Sequence, residues 1–292
     1  MPQPVIVSAC RTAIGKFGRG LVGVAAPRLG AAVVKESMKR AGISSEEVEE
    51  VIMGNVLSSG LGQNPARQAA IFAGVPLHVG SLTMNKVCGS GLKAIMLAAQ
   101  AVKAGDADVV VAGGMENMSN SPYLVRNLRW GLKYGDARLI DAMINDGLWD
   151  IYNEFHMGMT GELIAQKYGI SRAQADEFAF KSHMKASHAI KERLFEEEII
   201  PVEIERESGE TVLFKTDECA RADTTVEKLS RLKPVFKPDG ILTAGNSSQL
   251  SDGAAATVVM SEDGAKKRGV KPLARIVGYD TGGTKPELVM EA

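Results

Sequence analysis

Apolar residues take two textures in the first part of the chain: short unbroken runs rich in valine and isoleucine, and stretches with an apolar residue every third or fourth position. The runs predict strands over residues 4–8, 51–57, 82–87 and 109–112. The spaced stretches predict helices over 27–40, from 65 onward, and between the last two strands. Punctuation agrees. Gly42 stands where a C-cap ends the first helix, Asn64-Pro65 supplies an N-cap with proline at the first helical position, and Gly74 closes that helix. Ser44 and Glu47 have capping-box spacing for one short turn.

From about residue 116 to 245 the alternation stops, both tryptophans appear, and charged helices and irregular stretches take over, which reads as an insertion. It holds one well-marked helix, capped by Ser171 with Gln174 three residues on, and carrying Ala175, Phe178, Ala179, Ser182, Ala186 and Ile190 on one stripe. Beyond it, 254–260 has a buried-strand pattern, Ser261 is placed to cap a short helix, and 273–279 reads as one last strand. The pattern predicts an α/β fold with a mostly parallel central sheet and helices on both faces.

Composition narrows the class. At roughly 100–200 residues per domain, 292 residues hold two domains or one with a large insertion. Hydrophobic residues at 45% and charged residues at 24% are those of a globular chain, not of a disordered or disulfide-stapled one. Lys and Arg number 34 against 35 Asp and Glu, so there is no basic field for nucleic acid or a membrane surface. Three cysteines, Cys10, Cys88 and Cys219, are widely spread without metal-ligand spacing, as expected in a reducing compartment. The start Met-Pro-Gln-Pro-Val-Ile-Val lacks the pattern of a secretory leader, so the cytoplasm is the expected location.

Candidate chemistry concentrates at Cys88, between the 82–87 strand and a helix on which Leu92, Ile95, Met96, Ala99 and Val102 share one face up to Gly105. A thiol at a strand-to-helix turn meets free amides and the positive end of the helix dipole, which stabilise a thiolate nucleophile. Gly89 and Gly91 leave room for a substrate carbonyl to reach the sulfur and the backbone N–H groups. The arrangement is like the serine elbow of hydrolases without its G-x-S-x-G pattern. Cys10 ends an apolar strand and Cys219 lies among charged residues, which fits structural roles. Two glycine-rich stretches, 9–16 and 60–65, depart from phosphate-loop and dinucleotide patterns and carry little weight.

The segment Asn85-Lys86-Val87-Cys88-Gly89-Ser90-Gly91 resembles the nucleophile motif of thiolases, enzymes that join or cleave acyl-CoA thioesters. Asn64-Pro65-Ala66-Arg67-Gln68, residues 113–119 (Gly-Gly-Met-Glu-Asn-Met-Ser), His156-Met157-Gly158 and residues 243–248 (Thr-Ala-Gly-Asn-Ser-Ser) follow in thiolase order. The resemblance spans essentially the whole chain and is greatest to the short-chain biosynthetic branch. It implies that Cys88 takes an acetyl group from acetyl-CoA and passes it to the enolate of a second acetyl-CoA, giving acetoacetyl-CoA and CoA, with no metal and no redox cofactor. It also implies a thiolase domain over residues 1–118 and 250–270, a CoA-binding loop domain over 119–249, and the start of a second α/β domain over 271–292. His156 and Met157 would line the pantetheine channel, Ser248 would bond its amide, and Leu148, Phe236, Ala244 and Leu250 would supply apolar wall. Arg221 would lie near the nucleotide, although residues 215–240, with six basic and five acidic residues, make any attraction for phosphate local.

Two departures stand out. Met159 and Gly161 replace the usual residues of the His-Met-Gly-Thr-Thr-Ala-Glu motif. The chain also lacks the later Asn-Glu-Ala-Phe, Gly-His-Pro and Cys-x-Gly-Gly-Gly motifs, so the 292 residues alone are expected to hold half an active site and to be inactive, as a fragment or beside a separate C-terminal subunit. A homo-oligomer is the family expectation. The competing readings are a 3-ketoacyl-CoA thiolase of fatty acid β-oxidation, a decarboxylating ketosynthase, and a non-catalytic CoA-binding or assembly subunit.

Overall fold

The computed structural model describes residues 1–205 and 208–292, which divide into two compact units. The first comprises residues 1–122, 196–218 and 250–279; the second comprises 123–195, 219–249 and 280–292. Residues 196–205 and 208–218 thus belong with the first unit, inside the range read from sequence as an insertion. Among the described residues no helix is long and apolar enough to cross a membrane.

The first unit is built on one sheet. Its strands are β1 (Pro4–Thr12), β2 (Glu50–Gly54), β3 (Gly80–Met84), β4 (Val109–Asn117), β5 (Ile199–Ile200), β6 (Ser251–Ser261) and β7 (Ala274–Arg275), with a short Gly15–Lys16 pairing on β6. The main path runs β5-β1-β6-β4-β2-β3. Parallel pairs join β3 to β2, β2 to β4 and β5 to β1, while β6 runs against both of its neighbours. The strands β1 to β5 therefore all point one way. Strand alternation sends Val51, Met53, Val109, Val111, Val258 and Met260 into one apolar core with helices α1 (Ala26–Ala41) and α2 (Pro65–Phe72). Ile52, Val110, Ala112 and Val259 face the other way, onto helix α3 (Ser90–Ala104). Helices thus cover both faces.

The punctuation read from sequence is visible as capping. Gly42 and Gly105 take left-handed conformations after α1 and α3, and Asn64 accepts the Arg67 amide at the start of α2. Element ends differ where side chains compete for backbone groups. β2 stops at Gly54 because the amides of Val56 and Leu57 turn to the Glu116 carboxylate instead of a neighbouring strand. β4 runs past Ala112 to Asn117 because β6 pairs with it along its whole length; a Cβ on Gly113 would lie 2.0 Å from the Ala255 carbonyl oxygen. The strand expected over 273–279 is confined to Ala274–Arg275, since its ladder with β1 pairs Val5 with Arg275 and runs off the end of β1 at Pro4.

In the second unit, helices α4 (Gly158–Tyr168) and α5 (Arg172–Lys191) are the longest elements. The Ser171–Gln174 capping box is present, but the apolar stripe expected on α5 is not its buried face. Phe178 is 77% exposed. The buried anchor is polar: Asp176 accepts from Arg172 Nε at 2.7 Å and from Asn246 Nδ2 at 2.8 Å, tying the helix to residues 241–246.

Candidate active site

Cys88 lies in the first unit, exposed, two residues before α3. The turn that carries it is fixed locally. Asn85 Oδ1 accepts the Val87 amide at 2.8 Å, Ser90 Oγ accepts the Lys86 amide at 2.8 Å and donates to the Val87 carbonyl at 2.6 Å, and the Gly89 amide closes back on Lys86 O at 3.1 Å. Val87 has φ +48°, a left-handed conformation that costs a β-branched residue on the order of 1–3 kcal/mol. The surrounding bonds hold it there. The helix ladder at this end begins with the Lys93 amide on Gly89 O, so the amides of Gly91 and Leu92 precede the first intrahelical bond. Unpaired amides and the helix dipole favour an anion at this end.

Alanines and glycines bring the turn onto the sheet. Ala94, Ala98, Ala99 and Val102 form the buried face of α3, whereas Leu92, expected there from spacing, is 61% exposed. The helix thus presents its alanines to the sheet, with Ile95 and Leu97 at the margin, and Leu92 points outward. At its start, a Cβ on Gly54 would lie 2.6 Å from Ser90 Cβ and 2.8 Å from the Gly91 nitrogen, and Gly114 packs against Gly91.

The other two cysteines are buried. Cys10 donates its S–H to Val33 O at 3.4 Å, and burial pushes its thiol up to about 11, so it stays protonated at neutral pH.

Four of the residues matched to the CoA channel gather in the second unit. Trp149-Asp150 pairs antiparallel with Phe155-His156, and Asp150, itself buried, accepts the amides of Tyr152 and Asn153 to lock the intervening turn. The Met157 amide then bonds Leu148 O at 2.7 Å. The His156 ring stacks on Phe236 with centroids 5.0 Å apart and an interplanar angle of 21°. Gly158 makes that stack possible, since a Cβ there would meet the Phe236 ring at 2.3 Å. The departure at Gly161 is accommodated by Leu242, whose Cδ1 lies 2.5 Å from where a Cβ would stand. Glu162, itself buried, accepts the amides of Ile241 and Leu242 at 3.0 and 2.9 Å.

Ala244 and Ser248 are exposed on the segment that follows, which is shaped by Asn246 Oδ1 accepting the Thr243 amide. Val235 N–H to Leu242 O, at 2.9 Å, joins this segment to the one carrying Phe236. Arg221 is not part of the His156–Phe236 stack. Its side chain is exposed, and its amide donates to Nδ1 of His183 on α5 at 3.3 Å. Leu250, half-buried, belongs to the first unit, where its carbonyl accepts from the Phe17 amide.

His156 Nδ1 accepts the Gly158 amide at 3.0 Å, which requires an unprotonated nitrogen, and burial holds this histidine below its ordinary value. His183 is lowered too, by burial and then by Arg221. A depressed folded-state value means stability that is present above the unfolded value and lost as pH falls through the folded one. The second unit, which holds both tryptophans, is therefore expected to lose thermal stability between about pH 7 and about pH 5. Tryptophan fluorescence melts at the two pH values test this, and His156→Phe, which keeps the stack without the titrating nitrogens, should flatten part of the fall.

Asn55, Glu116, Glu162 and Asp176 were not singled out by sequence reasoning as site supports. Their partners lie far along the chain, and only the presence of Glu116 and Glu162 inside matched motifs could have marked them.

Comparison with known proteins agrees with this arrangement. The family model for the thiolase N-terminal domain matches residues 4–263. The chain is 55% identical over 289 residues to an acetyl-CoA acetyltransferase of Cupriavidus necator, a match covering 99% of this chain and 74% of that protein. Proteins of the same name from Pseudomonas aeruginosa and Chromobacterium violaceum are 52% and 50% identical, covering 99% and 98% of this chain and 74% and 73% of theirs. A nucleophile-type turn at a helix start, a His-Phe stack in a second unit and a family match over most of its length together make the chain a member of the thiolase family.

Proposed function

We propose that this thiolase transfers acetyl groups between coenzyme A thioesters, with Cys88 as the nucleophile. The observation that carries the reading is the exposed Cys88 at the start of α3, held by a strained turn, while Cys10 and Cys219 are buried. The names of the relatives support acetyl-CoA as substrate.

In this reading the Cys88 thiolate attacks the thioester carbonyl, the bond to the CoA sulfur breaks, and CoA leaves as the thiol after taking up a proton. A second acetyl-CoA loses its α-proton, and its enolate carbon attacks the acetyl-Cys88 carbonyl. A carbon–carbon bond forms and the Cys88 thiolate leaves, giving acetoacetyl-CoA; the reverse sequence is thiolysis. The thioester supplies the activation, so no metal or redox cofactor is invoked. His156, Met157, Leu148, Phe236 and Ala244 serve as wall for the pantetheine arm, with Ser248 bonding it, Leu250 adding apolar surface and Arg221 near the nucleotide. Binding energy at such remote groups positions the reacting carbonyl. We place the enzyme in the cytoplasm as a homo-oligomer.

The test is intact-mass measurement of the protein after incubation with a panel of acyl-CoA thioesters. One acetyl adduct should form with acetyl-CoA even where no turnover to acetoacetyl-CoA follows, and octanoyl-CoA should react at least about tenfold more slowly. Equal rates for both chains would instead favour a long-chain thiolase, and no adduct with either would favour a CoA-binding subunit.

A further inference from the structure

We propose that Glu116 is a positioning residue for the Cys88 nucleophile, acting through the turn at residues 55–57. This rests on Cys88 being the reactive thiol.

Glu116 is the next-to-last residue of β4, and its carboxylate gathers three donors from one turn: the Val56 amide at 2.8 Å, the Leu57 amide at 3.2 Å and Asn55 Nδ2 at 2.8 Å. Asn55, only 2% exposed, also donates Nδ2 to Met115 O at 3.1 Å. The turn in turn grips the approach to the nucleophile. The Asn55 amide donates to the carbonyl of Met84, the last residue of β3, at 3.1 Å, and Val56 O accepts a longer bond from Asn85 Nδ2 at 3.5 Å. Asn85 Oδ1 holds the Val87 amide, and Val87, in its left-handed conformation, is joined to Cys88.

A continuous run of hydrogen bonds therefore leads from Glu116 to the residue before the sulfur. On the other side of the turn, Ser90 supplies an independent clamp. Without the Glu116 side, the strained Val87 conformation would be held only from the helix. The choice of residue also points away from mere stability. Burial pushes the Glu116 carboxyl above the usual carboxylate range, against the lowering effect of Val56, Leu57 and Asn55, and the charge of Asp252 pushes it further up. A glutamine of the same shape could not accept all three bonds, because its NH₂ would face at least one N–H donor. A carboxylate accepts from all three donors of the turn.

The experiment compares the parent protein with Glu116→Gln, Asn85→Ala and the double variant. For each, the second-order rate of Cys88 alkylation by iodoacetamide is followed by peptide mass mapping, alongside the acetylation rate with acetyl-CoA, the affinity for CoA, and the melting curve. Each single variant should slow Cys88 at least fivefold with CoA affinity within twofold, and the double variant should be no slower than the slower single, because both cut the same path. A folded Glu116→Gln protein whose Cys88 reacts within twofold of the parent would overturn the proposal, as would multiplicative effects in the double variant. Asn85 is exposed, so Asn85→Ala tests the far end of the path even if Glu116→Gln fails to fold; an unchanged rate there would equally overturn it. The alkylation comparison does not depend on thioester chemistry. A parent protein that alkylates but never acetylates would count against the proposed function and leave Glu116 to be decided by alkylation.

Discussion

Replacing Cys88 by alanine is expected to reduce acetyl transfer from acetyl-CoA by at least ~10³-fold, to the level of uncatalysed transfer, while leaving the melting curve essentially unchanged. Both halves follow from the position of the residue. The side chain is exposed and contributes nothing to either apolar core, so its loss removes the nucleophile without opening a cavity. Cys10→Ala should do the reverse. Removing a buried thiol that bonds Val33 O should cost about 1 kcal/mol of stability and leave the rate of acetyl transfer intact. Cys219→Ala, at a buried position of the second unit, serves as a further control for rate. Substantial acetylation in the Cys88→Ala protein would remove the nucleophile assignment.

The second large effect is expected from a single methyl group on β2. Gly54→Ala would place a Cβ 2.6 Å from Ser90 Cβ, 2.7 Å from the Ser90 carbonyl carbon and 2.8 Å from the Gly91 nitrogen. Two of these neighbours are backbone atoms at the start of α3, which cannot swing aside as a flexible side chain would. The helix start must move, at an overpacking cost of roughly 1–3 kcal/mol. Displacing the nucleophile turn by even a fraction of an ångström to an ångström should lower acetylation by up to ~10²-fold. Gly23→Ala, where an added Cβ meets nothing within 4 Å, should leave both stability and rate unchanged. Thermal melts and acetylation rates on the two variants check this. A Gly54→Ala protein indistinguishable from Gly23→Ala would mean that the close packing does not set the position of the turn.

The local grammar of the chain was readable in advance. Caps at Ser44, Asn64, Ser171 and Ser261 and the glycines after α1 and α3 are set by neighbours within four residues, and the structure shows each in place. The faces of helices were less readable. Spacing alone put Leu92 inside, but the fully buried positions of α3 are Ser90, Ala94, Ala98, Ala99 and Val102, with Ile95 and Leu97 packed at their margin, and Leu92 turns outward. On α5 the buried position is held by an ion pair and an asparagine 70 residues away, which hydrophobic periodicity cannot express. The candidate site divides in the same way. The turn chemistry at Cys88 followed from a strand-to-helix junction with two glycines. The gathering of Leu148, His156, Met157 and Phe236 was legible only through resemblance, since nothing in their spacing brings residue 236 to residue 156. The Glu116 anchor, 60 residues from the amide it holds, was marked only by its place in a matched motif, and its role was not legible.

The most direct test of the central claim is to locate the acetyl group. The protein is incubated with isotopically labelled acetyl-CoA, digested at mildly acidic pH, and mapped by tandem mass spectrometry, with a parallel sample treated with free CoA before digestion. The account predicts label on the peptide carrying Cys88, at the sulfur, and its loss when CoA is added, because transfer from a thioester to a thiol is reversible. Label confined to lysines such as Lys86 or Lys93, or label on Cys88 that free CoA does not discharge, would contradict it.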